Sequence, residues 1–119
     1  MIIGILKDND TQDISLTTEV IAVLVKKHHT VLIDGESENV AASAYMSVGA
    51  YIINTKEELL DRSDLIIKRT APLASDINYL NGEEKIFLTK LKINHQLVQA
   101  LLQHRISVID YSSLPIFKF

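Results

Sequence analysis

The 119-residue sequence contains no cysteine or tryptophan, and it has only four glycines and two prolines. Without cysteine the chain has no disulfide, no thiolate metal ligand and no cysteine nucleophile. Scarce glycine and proline, with 47% hydrophobic residues, exclude a disordered or collagen-like chain. No apolar run reaches the ~20 residues of a membrane-spanning helix, and residues 1–6 lack a basic signal leader. We therefore expect one soluble, cytoplasmic domain over residues 1–119.

Charge is unevenly distributed along the chain, although the net charge is only −3. Residues 1–59 carry four basic and nine acidic side chains, whereas residues 60–119 carry eight basic and six acidic ones. Neither half contains the dense run of Lys and Arg that nucleic-acid binding requires, so no such partner is expected.

Six short runs rich in aliphatic residues are typical of β-strands that are covered on both faces. They occupy residues 2–6, 30–33, 50–53, 64–68, 85–89 and 107–110. Helical patterns lie at residues 16–28, 39–47, 56–61, 75–80 and 94–104. Because parallel strands need crossover connections, this alternation predicts a three-layer, doubly wound α/β sheet, mostly parallel and flavodoxin-like or Rossmann-like. A flavodoxin-like strand order with the first strand central is the favoured arrangement.

Cationic side chains follow several predicted strands at their carboxyl ends, where open α/β sheets bind ligands. A single lysine at a strand end is most often solvated, but several at one edge form a rim that suits a small carboxylate or phosphate. The cations at these strand ends are Lys7, Lys68, Arg69, Lys90 and Lys92. Because side chains alternate along a strand, Thr70 shares one direction with Lys68. We predict a substrate-binding site with the candidate residues Lys7, Lys68, Thr70 and Lys92.

The sequence carries no motif for a nucleotide, a metal ion or a nucleophilic serine. The four glycines are too far apart for a G-x-G-x-x-G turn or a P-loop. The four histidines lack the helical spacing of zinc ligands, and no serine lies in a G-x-S-x-G elbow. We expect no cofactor, metal ion or catalytic residue in this chain.

Short segments with a characteristic order run along the chain. Residues 2–8 read IIGILKD, residues 63–68 read SDLIIK, residues 71–73 read APL and residues 101–111 read LLQHRISVIDY. In this order they resemble the I-G-x-P-K-E, A-D-M-I-V-K, E-P-L and L-L-x-x-x-V-T-A-I-x-Y-E segments of the alanine dehydrogenase and nicotinamide nucleotide transhydrogenase alpha-subunit family. The resemblance implies the substrate-side, N-terminal domain of an NAD(P)-dependent oxidoreductase.

The chain also differs from the family that it resembles. Family members bind NAD(P) in a second domain, which this chain is expected to lack. Asp13 stands near the family's substrate arginine, Thr70 at its substrate lysine and Lys92 at its catalytic histidine. A carboxylate clamp without arginine and a proton relay without histidine differ from the family's chemistry. We predict a free-standing pseudoenzyme homologue, not catalytic alone, that binds a small carboxylate or acts with a partner carrying the NAD domain.

Two other functions remain open. A receiver-like signalling domain has a similar length and early acidic residues, although Asn54 stands where a phosphorylated aspartate would end the third strand. An oligomeric scaffold protein would use the apolar segment at residues 114–119 to dock on a second copy of the chain.

Overall fold

The computed structural model describes residues 1–8, 14, 16–35, 42–70, 73, 75–76, 79 and 85–89, and the backbone of residues 106–110. The strands are β1 (Ile2–Ile5), β2 (Thr30–Asp34), β3 (Tyr51–Ile53), β4 (Leu65–Lys68), β5 (Lys85–Thr89) and β6 (Ile106–Asp110). The helices are α1 (Thr18–Lys26), α2 (Ala42–Ser47) and α3 (Lys56–Arg62).

All six strands run parallel in one sheet, in the order β3-β2-β1-β4-β5-β6. The predicted doubly wound α/β fold is therefore confirmed, and each predicted strand agrees with the structure to within one residue at either end. The favoured flavodoxin-like order is wrong, because that order places the third strand beside the first. Here β4 adjoins β1 and β3 is the outer strand, which is the Rossmann order. The receiver-like alternative is contradicted for the same reason, since receivers share the flavodoxin order.

Helices cover both faces of the sheet and bury two separate cores. Ile3 and Ile5 of β1 face the side of α1 and α2, where they pack in one cluster with Ile21. Leu6 faces the opposite side and packs in a second cluster with Leu59 of α3. Burial on both faces explains why the strands read as continuous apolar runs rather than as alternating ones.

Gly4 lies where α3 crosses β1 most closely. A Cβ atom added at Gly4 would clash with Ser63 Oγ and would lie 2.7 Å from Leu59 Cδ2. A glycine at this position therefore lets the helix pack directly on the strand backbone.

Helices α1 and α3 begin at threonine N-caps. Thr17 Oγ1 accepts the backbone N–H of Val20 at 3.4 Å, and Thr55 Oγ1 accepts that of Glu58 at 3.3 Å. The first helix is shorter than predicted, because His28 adopts a left-handed conformation (φ 69°) that ends it. Within the described residues, no helix is long and apolar enough to cross a bilayer. The helix predicted at residues 94–104 and the docking segment at residues 114–119 lie outside the described residues.

A buried lysine closes the carboxyl end of α3. Lys85, the first residue of β5, is only 5% exposed. Its Nζ donates to the backbone oxygens of Leu60, Asp61 and Ser63 at 2.8, 2.9 and 2.7 Å. The last carbonyls of a helix have no partners within the helix and carry partial negative charge, so an ammonium group stabilises them.

Replacing Lys85 with Met should lower the free energy of unfolding by about 3 kcal/mol, because two buried carbonyls and one partly buried carbonyl lose their charged donor. Lys26→Met is the matched control, since Lys26 is exposed at the end of α1 and its loss should cost less than about 0.5 kcal/mol. Urea unfolding of both variants measures the difference. Equal losses would show that Lys85 does not cap the helix.

Candidate functional site

The candidate site lies at the carboxyl edge of the sheet between β1 and β4. The strand order reverses at this point, because the chain leaves β1 towards β2 on one side and reaches β4 on the other. Open α/β sheets bind ligands in the crevice at such a switch point. Lys7 and Asp8 lie just beyond β1, after Leu6, and Arg69 and Thr70 directly follow β4, so these residues lie at the same edge.

Lys68, the last residue of β4, is buried and paired with a buried carboxylate. Its side chain is 2% exposed, and its Nζ lies 2.7 Å from Asp76 Oδ2. The same oxygen accepts the backbone N–H of Leu73 at 2.7 Å. Lys56 Nζ lies 2.9 Å from Asp76 Oδ1 and also donates to Ser75 Oγ at 2.9 Å. One carboxylate thus joins the end of β4, the first turn of α3 and the backbone of Leu73.

The pKa values of this pair reflect their burial and mutual attraction. Burial lowers the pKa of Lys68 because desolvation disfavours the ammonium, and the attraction of Asp76 offsets this only in part. Burial alone would raise the pKa of Asp76. The attraction of Lys68 and the hydrogen bonds from Lys56, Lys68 and Leu73 outweigh that effect, so the pKa of Asp76 is lowered. Asp76 is therefore ionised at neutral pH.

An ion pair between Asp8 and Arg69 spans the gap from β1 to β4. Asp8 Oδ2 lies 2.9 Å from Arg69 Nε, and Asp8 Oδ1 accepts the backbone N–H of Arg69 at 3.2 Å. The Asp8 side chain is 3% exposed, whereas that of Arg69 is 26% exposed. The buried carboxylate therefore holds a guanidinium group at the rim of the crevice.

Neighbouring strands hold the backbone on both sides of the crevice. Asp34 at the end of β2 is buried, and its Oδ2 accepts the backbone N–H of Lys7 at 3.2 Å. At the end of β5, the Oγ1 atom of Thr89 lies 3.3 Å from the carbonyl oxygen of Arg69 and 3.3 Å from that of Thr70. The segments that follow β1 and β4 are thus supported from outside by β2 and β5.

Three of the four predicted site residues lie at this edge, and Lys92 falls outside the described residues. Lys7 is partly exposed, whereas Lys68 and Thr70 are buried. The prediction did not include Asp8 or Asp76. Asp8 carried a usable signal, because a charged residue just beyond a buried strand marks the ligand-binding edge. Asp76 carried none, because the helical pattern predicted at residues 75–80 does not indicate that this carboxylate is buried against two lysines; the structure has residues 75 and 76 in helix, and residues 77, 78 and 80 lie outside the described residues.

The residues at the end of β1 do not fit a dinucleotide, although the strand order is that of dinucleotide-binding sheets. Such a site needs a glycine-rich turn that lets the backbone approach the pyrophosphate, and no glycine lies between Gly4 and Gly35. Asp34 ends β2, but it is buried and accepts the backbone N–H of Lys7. In the part of the chain that the structure describes, no three acidic or histidine side chains are grouped to hold a metal ion.

Comparison with known proteins identifies a matching family. Residues 7–118 match the family model described as alanine dehydrogenase/PNT, N-terminal domain. An alanine dehydrogenase from Methanococcus maripaludis is 30% identical over 123 residues, which cover 98% of this chain and 33% of that protein. The chain therefore spans about a third of the length of this curated relative.

Solved structures show the same fold. An L-alanine dehydrogenase matches with a TM-score of 0.78 at 21% identity, over 93% of this chain and 32% of that one. A transhydrogenase from Sinorhizobium meliloti matches with a TM-score of 0.82 at 16% identity, over 97% of this chain and 36% of that one. At these identities the structural similarity shows a shared fold and nothing more.

The Lys68–Asp76 pair should be essential for stability. Lys68→Met leaves a buried carboxylate with one cation fewer, and we expect it to lower the free energy of unfolding by about 3–5 kcal/mol. Arg62→Met is the control, because Arg62 pairs with Glu58 at 3.6 Å on the exposed face of α3 and should contribute less than about 0.5 kcal/mol. Urea unfolding compares the two. Similar losses would argue against a structural role for the buried pair.

The lowered pKa of Asp76 predicts a loss of stability in acid. The ordinary value is 3.8 and the folded-state pKa is lower, so as the pH falls the unfolded chain takes up its proton first. The stabilisation is therefore present above the ordinary pKa and is lost as the pH falls through the folded-state value. We expect Asp76→Asn to flatten the dependence of unfolding free energy on pH below about pH 5. Asp61→Asn, which removes an exposed carboxylate of α3, is the control. Unchanged slopes in both variants would contradict this.

Proposed function

Because the chain belongs to the alanine dehydrogenase/PNT N-terminal domain family, we propose that it provides the substrate side of an oxidoreductase. The resemblance noted in the sequence is thereby confirmed at the level of the family. The proposed ligand is a small carboxylate, held at the carboxyl edge between β1 and β4. The NAD(P) that such a reaction uses is proposed to bind a separate domain or partner chain, because the end of β1 does not fit a dinucleotide.

The observation that carries this proposal is the balance of charge at that edge. Among the side chains whose contacts are described above, four cations accompany three carboxylates at that edge: Lys7, Lys56, Lys68 and Arg69 with Asp8, Asp34 and Asp76. A small excess of positive charge in a crevice attracts one anionic group.

These charges are close enough to act together. Besides desolvation, the pKa of Lys68 responds to the charges of Asp76, Lys56 and Asp8. An anion bound in the crevice would therefore meet the combined field of the cluster rather than that of one side chain. In this proposal Lys7 and Thr70 flank the ligand from β1 and β4, and Lys92 adds a further cation. Lys68 contributes its charge without contacting the ligand, because it is buried and its Nζ already contacts Asp76.

We further propose that the chain does not turn over a substrate by itself. Thr70 and Lys92 stand at positions where the family resemblance places a lysine and a histidine. A threonine hydroxyl provides no positive charge for a carboxylate, and lysine is as a rule a poorer proton relay near neutral pH than histidine. Binding without complete catalysis is therefore the proposed role of this chain on its own.

Titration of the ¹⁵N-labelled chain with pyruvate and L-alanine tests this proposal. Millimolar pyruvate or alanine should shift the backbone amides of Lys7, Arg69 and Thr70, while the amides of Lys26 and Lys27 at the opposite edge of the sheet stay in place. Pyruvamide, which lacks the charged carboxylate, should give no such shifts.

A pair of charge variants completes the test. Lys7→Gln should weaken pyruvate binding about three- to tenfold, which is the range expected for one rim charge. Lys26→Gln removes the same charge at the opposite edge and should leave the affinity unchanged. Absence of shifts at the β1–β4 edge, or equal shifts with pyruvamide, would refute carboxylate binding at this site.

A further inference from the structure

We infer that Arg69 binds the carboxylate of the ligand directly and that Asp8 is the positioning residue for its guanidinium group. The inference rests on the proposed function and names the contact within the same crevice. It assigns the role of carboxylate clamp to a position next to Thr70, rather than to Thr70 itself.

Exposure distinguishes Arg69 from its neighbours at the end of β4. The side chain of Arg69 is 26% exposed, whereas Lys68 is 2% and Thr70 4% exposed. Of these three consecutive residues, Arg69 is the one that solvent reaches to a substantial extent. A dissolved anion arriving at the switch point would therefore meet its guanidinium group before the Lys68 ammonium.

Asp8 orients this group before any ligand arrives. Its two oxygens hold the same residue at two points, the backbone N–H at 3.2 Å and the side-chain Nε at 2.9 Å. Both the position of the backbone and the plane of the guanidinium are thereby constrained. Ordering a long side chain costs binding free energy, so an arginine that is already held in place binds a ligand more tightly than a mobile one.

Guanidinium chemistry suits this role better than the lysines nearby. A guanidinium carries five N–H donors in a plane, and a bidentate contact with a carboxylate uses two of them. Lys56 and Lys68 share the single carboxylate of Asp76, so positive charge remains in excess behind Arg69. The Asp8–Arg69 pair can therefore accept a second carboxylate without placing a net negative charge in the crevice.

Two substitutions at Arg69 test the direct contact, with pyruvate as the probe and NMR as the readout. Arg69→Lys keeps the charge but loses the planar fork, and should weaken pyruvate binding about tenfold. Arg69→Gln leaves Asp8 buried without its cation, so the paired variant Asp8→Asn/Arg69→Gln accompanies it and should weaken binding at least as much as Arg69→Lys. Thermal unfolding establishes that each variant is folded, and Lys26→Gln is the charge-matched control.

Substitutions at Asp8 test the positioning role. Asp8→Asn keeps one oxygen that can accept from Nε, although its amide nitrogen cannot accept the backbone N–H of Arg69. It should therefore retain affinity to within about threefold, whereas Asp8→Ala should lose about tenfold. The ¹⁵Nε resonance of Arg69 adds a readout that a purely structural residue would not move. It should shift with pyruvate and stay in place with pyruvamide.

The outcomes separate this inference from the proposed function. If pyruvate shifts the amides at the β1–β4 edge but the Arg69 variants bind it as tightly as the parent chain, the inference is overturned and carboxylate binding stands. If Asp8→Ala binds as well as Asp8→Asn, the positioning role of Asp8 is overturned. If the parent chain gives no shifts at all, the proposed function fails and this inference fails with it.

Discussion

The carboxyl edge of this sheet depends on the two ion pairs that the buried carboxylate of Asp76 makes with Lys56 and Lys68. This carboxylate joins the end of β4 to the first turn of α3 through Lys68 and Lys56, and it also accepts the backbone N–H of Leu73. A buried charge is tolerated only when opposite charges and hydrogen bonds compensate its lost hydration. Because all three segments supply that compensation, none can move independently of the others, and the crevice between β1 and β4 has a rigid support.

Much of the fold was predictable because buried strands have a characteristic amino-acid composition. Strands covered on both faces must be apolar throughout, and that composition located all six strands to within one residue at either end. The sequence has no comparable signal for strand order, since β3 and β4 are both short and apolar and either could lie beside β1. Their order follows from the face of the sheet on which α3 packs. On that face the lack of a side chain at Gly4 lets Leu59 and Ser63 approach the backbone of β1 closely.

The candidate site was predictable in location but not in detail. The rule that ligands bind at the carboxyl ends of parallel strands identified Lys7, Lys68 and Thr70 as lying at one edge. The general rule that a single lysine is most often solvated does not describe Lys68 and Lys85, which are both buried. Their partners are a carboxylate eight residues away and carbonyls at the end of a distant helix, and no local pattern reveals such pairings. The fate of a charged side chain is decided by contacts that form only in the folded chain.

The contact between Lys85 and α3 also has a consequence for how the domain opens. The last turn of the helix and the first residue of β5 share three hydrogen bonds, although more than twenty residues separate them in the chain. Neither element can fray alone without exposing an ammonium group or several carbonyls that lack partners. Native-state opening should therefore release the helix end and the strand start in one cooperative unit. The two faces of the sheet differ in this respect, since β5 is bonded in this way to α3 and not to α1 or α2 among the described contacts.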